Sequence, residues 1–427
     1  MQNKRFDVYN QILRHELKPA LGCTEPVAIA YAAATAVKIL GERPEHIKIT
    51  CSGNVVKNVK GVTVPNSGGM KGVECAAILG ALGGNADKKL EVLSSVDESA
   101  RKETRALLDS DYAELRLQED IPGLYVKIEA FASGNSSEAI LSNCHDQISE
   151  MKRNGITIAR NDINNDCDGC DIEKLKEQLT ISNIIDYANN VDLDTISDVL
   201  EMQIRLNSAI ASEGLKGNYG STIGKTLMKL YDSDDIRIRA RARAAAGSDA
   251  RMSGCSMPVV INSGSGNQGL TVSMPVVEYA KSLGVSHDRM LRALALSNLA
   301  AIHQKQYIGP LSAYCGAVSA AAGASAAISY LQGGGEKEIS ESISNTLAMV
   351  GGIVCDGAKA SCAAKISTAL DSAILASEMA IEEKKSFSSG DGLVKDSVEK
   401  TIKAFGKVGK DGMQQTDIEI LHLMLAK

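Results

Sequence analysis

The sequence has no tryptophan and only four phenylalanines, and aromatic residues fill 4% of its 427 positions. Its core must be built from aliphatic side chains, alanine and glycine, a composition suited to helices packed at short distance. It has no long lysine or arginine run, and its formal charge is −6. Sequence-independent nucleic-acid binding needs a basic face, so no nucleic-acid partner is expected. The short stretch R-I-R-A-R-A-R at 237–243 spreads its arginines around a helix and reads as a solvated or subunit-contact surface. No segment is apolar enough to span a bilayer; the nearest, 311–332, is uncharged but made largely of Ala, Ser and Gly. The opening M-Q-N-K-R-F-D runs into an amphipathic helix without the apolar stretch of a secretory leader. A cytoplasmic location with no membrane partner is therefore expected. The six histidines, at 15, 46, 145, 287, 303 and 422, form no H-E-x-x-H pattern, which gives little support to a hydrolytic zinc site.

What is present is an ordinary globular balance, 44% apolar and 23% charged. The length suggests two or three domains. Apolar spacing predicts helices over 6–17 and from Thr24, as a cap, to about residue 40, with Pro26 in the first turn. Residues 45–65 read as extended. Helices at 70–82 and 97–109 and strands near 112–118, 124–131 and 138–142 complete a mixed region over 1–160. A polar Asp/Asn/Gly-rich stretch makes 161–174 a linker or exposed loop. Beyond it, helices are predicted over 172–189, 193–213, 219–247, 268–283, 287–305, 311–331, 338–350, 361–384, 394–405 and 415–426. No solenoid repeat is found. The expected fold class is α+β: an N-terminal mixed α/β domain (1–160) packed on a mainly α-helical domain (175–427).

Ten cysteines stand at 23, 51, 75, 144, 167, 170, 255, 315, 355 and 362. Without an export signal a disulfide framework is not expected. In L-G-C-T-E-P (21–26), Cys23 precedes a helix N-terminus, where the helix dipole favours thiolate. In I-G-P-L-S-A-Y-C-G-A (308–317), Pro310 marks a helix start and Cys315 falls in its early turns, on a seam of small residues. In G-G-I-V-C-D-G-A-K-A-S-C (351–362), a glycine-rich loop holds Cys355, Asp356, Lys359 and Cys362 together. Each cysteine, taken alone, is also readable as a buried core thiol. Cys167-Asp-Gly-Cys170 is a lone C-x-x-C in the polar stretch and reads as a loop feature. The segment I-N-S-G-S-G-N-Q-G-L (261–270) feeds a helix and offers backbone N–H groups to a phosphate or a carboxylate. It also looks like the phosphate loop of fold-type-II pyridoxal-phosphate enzymes, with Lys216, Lys225 and Lys229 upstream for a Schiff base, which makes a pyridoxal-phosphate β-eliminase a rival.

Taken in order, L-G-C-T-E-P, S-G-S-G-N-Q-G, the segment around Cys315 and C-D-G-A-K resemble the L-cysteine desulfidases, relatives of the iron–sulfur-dependent L-serine dehydratases, over nearly the whole chain. The resemblance implies a [4Fe–4S] cluster held by Cys23, Cys315 and Cys355, with one iron open to substrate. It implies L-cysteine as the small amino-acid substrate and pyruvate, ammonia and sulfide as products. The substrate carboxylate is expected on Asn262, Ser263, Gly264, Ser265, Gly266, Asn267 and Gln268. Lys359, His303 and Glu25, in that order, are candidate bases, and Cys362 is a reserve ligand. The serine–histidine cluster of the serine dehydratases has no match at 22–27, and the C-terminus L-H-L-M-L-A-K has no cysteine to cover the fourth iron. Both differences favour cysteine, with L-serine dehydratase as the alternative. A homodimer is left open.

Overall fold

The computed structural model describes residues 2–118, 121, 123–161, 168–309 and 311–426. The chain begins with α1 (Gln2–Glu16), β1 (Pro19–Leu21), α2 (Thr24–Leu40), β2 (His46–Ser52), α3 (Gly53–Lys60), α4 (Val73–Gly83) and α5 (Glu98–Leu107). Five strands follow: β3 (Ala113–Gln118), β4 (Tyr125–Ala132), β5 (Asn135–Ser142), β6 (Ile148–Arg153) and β7 (Ile156–Arg160). Then come α6 (Asp168–Lys176), α7 (Ile181–Asn190), α8 (Ser197–Lys216), α9 (Ile223–Leu230), α10 (Ile236–Met252) and β8 (Pro258–Val260). The rest is helical: α11 (Gly266–Ser282), α12 (His287–Ile308), α13 (Gly316–Leu331), α14 (Glu336–Val350), α15 (Ser361–Ile381), α16 (Val398–Lys407) and α17 (Gln414–Leu425). The fold is α+β.

The six-stranded sheet has the order β3-β2-β4-β5-β6-β7, parallel only between β2 and β3. Its strands alternate, as a one-sided antiparallel sheet should. Val126, Ile128, Ala130 and Ala132 of β4 are buried, and α2 packs on the same strand. The Ser137 hydroxyl of β5 donates to the Ala36 carbonyl of α2, 2.7 Å away. The opposite face carries Lys127, Glu129, Glu138 and Lys152 as a chain of ion pairs.

In the helical part α13 is almost wholly buried and packs against α11, α12, α14 and α15. Its sequence, G-A-V-S-A-A-A-G-A-S-A-A-I-S-Y-L, is what permits this. A Cβ on Gly323 would lie 2.5 Å from the Ser297 carbonyl oxygen of α12. A helix buried on every side needs small residues where its neighbours come closest.

Several expectations need correction. Residues 53–60 are helical, not extended, because Val55, Val56 and Val59 are spaced as one helix face and all are buried. Helix α2 takes Cys23, not Thr24, as its N-cap residue. The stretch 219–247 is two helices, broken by Y-D-S-D-D at 231–235, with Asp235 capping α10 through the Arg237 amide. The single helix expected over 172–189 is likewise two, α6 and α7, with Thr180 capping the second. Helix α13 begins at Gly316, so Cys315 is its N-cap residue and not in its early turns. Strands β6 and β7 follow β5 without having been predicted. Residues 162–167 of the expected linker, Cys167 among them, and Pro310 lie outside the described residues; α6 already runs from Asp168.

Several contacts join the halves, among them a short ladder and the first helix. Strand β1 pairs antiparallel with β8, Pro19 opposite Val260 and Leu21 opposite Pro258. Helix α1 turns away from the sheet and packs on α6 and α12, with Arg14 paired to Asp198 at 2.7 Å. The β1–β8 ladder brings Gly22 and Cys23 up to the loop at 262–265.

Candidate active site

Three thiols reach one cavity from three separate segments. Gly22 has φ +63°, and a Cβ there would sit 2.2 Å from Pro65 Cγ, so only glycine makes the turn that aims Cys23 inward. Cys315 and Cys355 are held by a short antiparallel bridge between Tyr314 and Val354. The Cys315 amide donates to the Ile353 carbonyl (3.0 Å) and the Cys355 amide to the Ala313 carbonyl (2.6 Å). Residues 315 and 355 therefore lie on the same face of the ladder, as diagonal neighbours. All three line a cavity of about 110 Å3, and Cys362, from the first turn of α15, lines it as well.

Burial opposes thiolate here. It pushes the Cys23 thiol well above its usual value, with the Glu25 charge adding to the effect. It pushes Cys315 up to about 12, with Cys355 beside it raising it further. Two helix N-termini, of α2 and α13, meet these thiols and partly compensate. A bound cationic iron centre would complete the compensation, because a coordinating thiol is deprotonated by its metal. Among the described residues no three His, Cys, Asp or Glu side chains gather tightly enough for a single ion. Thiolates are the donors that iron–sulfur clusters take, one to each iron, and Cys23, Cys315 and Cys355 are donors of that type lining one cavity.

Beside apolar walls such as Leu311 and Ile366, the lining carries polar groups that are underused. Arg251 is 2% exposed and its Nε has no hydrogen-bond partner. His145 Nε2, Asn267 Oδ1, Gln268 Oε1 and the Tyr314 hydroxyl are also buried without partners. Buried polar atoms are ordinarily satisfied, so such a group around one cavity points to a polar ligand. Glu25 is buried and fully engaged. Its Oε2 accepts from Cys23 Sγ and the Thr24 hydroxyl, and its Oε1 from the Asn58 amide, all at 3.1 Å. Burial alone would raise the Glu25 carboxyl, but the His145 charge, the Cys23 hydrogen bond and Arg251 outweigh it and hold it low. Lys305, in the last turns of α12, brings a buried amine to the same cavity. Burial pushes its ammonium down to about 8, against the opposing pull of Cys355 and Cys315.

Residues 87–422 match the family model described as the serine dehydratase alpha chain. The chain belongs to the serine dehydratase alpha-chain family. Similar chains include UPF0597 proteins of Lachnoclostridium phytofermentans (50% identical, covering 97% of this chain and 98% of that protein) and Finegoldia magna (46%, covering 98% and 99%). Another, from Treponema denticola, is 45% identical and covers 100% of this chain and 99% of its own. The family name describes a lyase. Cys315 and Cys355 fall within the matched stretch and Cys23 precedes it.

On this serine dehydratase-type framework the nominated residues divide. Ser263, Gly264, Ser265, Asn267 and Gln268 line the cavity, as does Glu25. Asn262 does not; its amide donates to Asn298 Oδ1 at 2.9 Å and ties the loop to α12. Gly266 is buried behind the loop, where a Cβ would meet Arg251 Nε and Val259 Cγ2 at 2.4 Å. Lys359 is not in the lining: its ammonium pairs with Asp356 and is one-third exposed. His303 is fully buried elsewhere, bonded through Nε2 to Glu399 (2.7 Å) and through Nδ1 to Gln306. Lys305 and Arg251 were missed. The signal for Lys305 was a lysine inside an otherwise buried helix, two positions and so about 200° around the axis from His303. For Arg251 it was a charged residue ending the alanine-rich run of α10.

Proposed function

We propose that this chain is an iron–sulfur-dependent lyase that degrades L-cysteine to pyruvate, ammonia and hydrogen sulfide. The observation that carries the reading is the meeting of Cys23, Cys315 and Cys355 in one cavity rimmed by unpartnered polar groups. These three thiols would hold a [4Fe–4S] cluster. When bound, it supplies an iron with an open position, a Lewis acid soft enough to take the substrate's sulfur.

The chain's own residues do the rest. The loop at 263–268 and the N-terminus of α11 face the substrate carboxylate. Lys305 Nζ is the group we assign to the α-proton: a buried amine poised near 8 keeps a usable neutral fraction near neutral pH. Loss of that proton and of sulfide from Cβ leaves a carbon–carbon double bond. The enamine then tautomerises, and one water hydrolyses it to pyruvate and ammonia. Val62 and Met252, packed against Cys23, and Ile366 of the cavity wall limit bulk water around the thiols.

The family description favours a second reading, L-serine dehydration, in which hydroxide leaves in place of sulfide. The pyridoxal-phosphate alternative finds no such support. Lys216, Lys225 and Lys229 are not in the cavity lining, and the Lys225 ammonium donates to Asn218 Oδ1 and the Gly217 carbonyl.

The test is iron and acid-labile sulfide on anaerobically purified, reconstituted protein, followed by parallel sulfide-release and pyruvate assays with cysteine and serine. Absence of both iron and sulfide sinks the cluster. Equal or faster turnover of serine replaces the substrate.

A further inference from the structure

We infer that Arg251 anchors the substrate carboxylate and that the amide oxygens of Asn267 and Gln268 receive the α-ammonium, so that the cavity selects free α-amino acids and rejects amines and carboxyl-blocked analogues. The inference rests on the reading of this cavity as an amino-acid site, and it names residues that decide which small molecules enter.

A guanidinium 2% exposed to solvent needs a counter-charge. Glu25 is the acidic residue of the lining and Arg251 helps to hold its carboxyl low, but its two oxygens take their hydrogen bonds from Cys23, Thr24 and Asn58, which leaves the guanidinium's donors unmatched. Among the described residues no carboxylate forms an ion pair with Arg251. Its Nε is buried and has no hydrogen-bond partner. The side chain is nevertheless pressed against the first residue of α11, because a Cβ on Gly266 would fall 2.4 Å from Arg251 Nε. The guanidinium thus lies beside that helix start, whose first turn closes with the Gly269 amide on the Ser265 carbonyl and leaves the earlier amides for a ligand. A planar carboxylate matches this pairing of a fork-shaped donor with backbone N–H groups.

The complementary half is adjacent in sequence. Gln268 Oε1 and Asn267 Oδ1 are acceptors left without donors. Gly316 leaves room for the Gln268 amide, since a Cβ there would sit 2.7 Å from Gln268 Cδ. An ammonium supplies the donors that both lack. Positive donors and unpaired acceptors at one helix start describe a zwitterion.

The experiment measures calorimetric binding of L-alanine, which has no leaving group, and of L-alaninamide to the anaerobic, reconstituted protein. It is paired with KM and kcat for cysteine in Arg251→Gln and Arg251→Lys. Wild-type protein should bind L-alanine on the order of 10-fold or more tighter than L-alaninamide. Arg251→Gln should raise KM and weaken L-alanine by about 10- to 100-fold, the range of a lost charged hydrogen bond. It should also erase the discrimination, and Arg251→Lys should restore part of it. Equal binding of alanine and alaninamide to the wild type overturns the inference, as does no binding of alanine at millimolar concentration. So does an Arg251→Gln protein that loses iron but keeps the wild-type KM per loaded site, which would make the cluster the counter-charge. If Arg251→Gln fails to fold, Arg251→Lys decides: it should bind L-alanine more weakly than the wild type while keeping part of the discrimination, and unchanged affinity overturns the inference. Discriminating alanine binding without elimination would remove the proposed reaction and leave this assignment standing; elimination with an unchanged KM in the variant would do the reverse.

Discussion

Lys305 carries a charge that its surroundings penalise. Burial drives its ammonium to about 8, against about 10.4 in an unfolded chain. Between those values the unfolded state binds more protons, so the stability of the cluster-free protein should rise as pH climbs from about 8 to about 10.5. Below pH 8 the full penalty is present. Lys305→Met should therefore be more stable than the wild type at pH 7, by up to about 3 kcal/mol, and the gap should close by pH 10.5. Paired denaturant titrations at the two pH values measure it. In the loaded enzyme the same substitution should lower kcat by about 10²- to 10⁴-fold with iron content unchanged. An unaltered kcat would return the role of base to Glu25. The cysteines make a sharper set. Cys23→Ala, Cys315→Ala and Cys355→Ala should each fail to retain iron after reconstitution. Cys362→Ala should keep it: Cys362 shares the cavity, but its amide follows Lys359 into the first turn of α15 and stands off the 315–355 ladder. Iron and sulfide determination on the four variants separates ligand from lining.

At the scale of elements, the loop between α14 and α15 is positioned by α3. Gly357 has φ +91°, and a Cβ there would lie 2.3 Å from the Lys57 carbonyl oxygen. Gly357→Ala meets both a left-handed backbone and a backbone collision, so the loop must lift and take Cys355 with it. Iron retention should fall more steeply than the thermal stability of the apo-protein, as iron assay and calorimetry would show. This dependence on α3 was hidden in the sequence, because Val55, Val56, Val59, Val62 and Val64 read as a strand by residue type. Helix propensity of β-branched residues is only slightly lower, and burial of the 55/56/59 face overrides it. The long alanine-rich helices were legible because their composition admits little else. The three-residue strands β1 and β8 were not, since periodicity needs a longer window. Yet that pair aligns Cys23 with the loop at 262–265. The cysteines were therefore visible as motifs, and their meeting was an expectation of resemblance. Lys359 and His303 were candidate bases, but Lys359 pairs with Asp356 and His303 with Glu399, and neither lines the cavity.

Across the whole molecule, one hydrophobic core runs from Tyr9 to Leu421 without a break between the sheet and the helices. The cavity straddles the seam: Cys23 comes from the N-terminal half, Cys315 and Cys355 from the helical half, and Thr24 bridges to the Gly264 carbonyl at 3.0 Å. A cluster bound to all three thiols would act as a cross-link between distant segments that exists only in the folded state. Whatever binds the native state and not the unfolded one stabilises the native state, and a multi-thiolate centre binds strongly. Anaerobic reconstitution should therefore raise the unfolding temperature by several degrees, and the continuous core requires that it do so in one cooperative transition. Removing the metal with a chelator should reverse the gain. Cys23→Ala should abolish it even though its nearest partner ligand in sequence is almost three hundred residues away, because the cross-link then no longer spans the seam. Two separate transitions on reconstitution, with only the helical half shifted, would show that Cys23 is not part of the cross-link and would confine the centre to Cys315, Cys355 and Cys362.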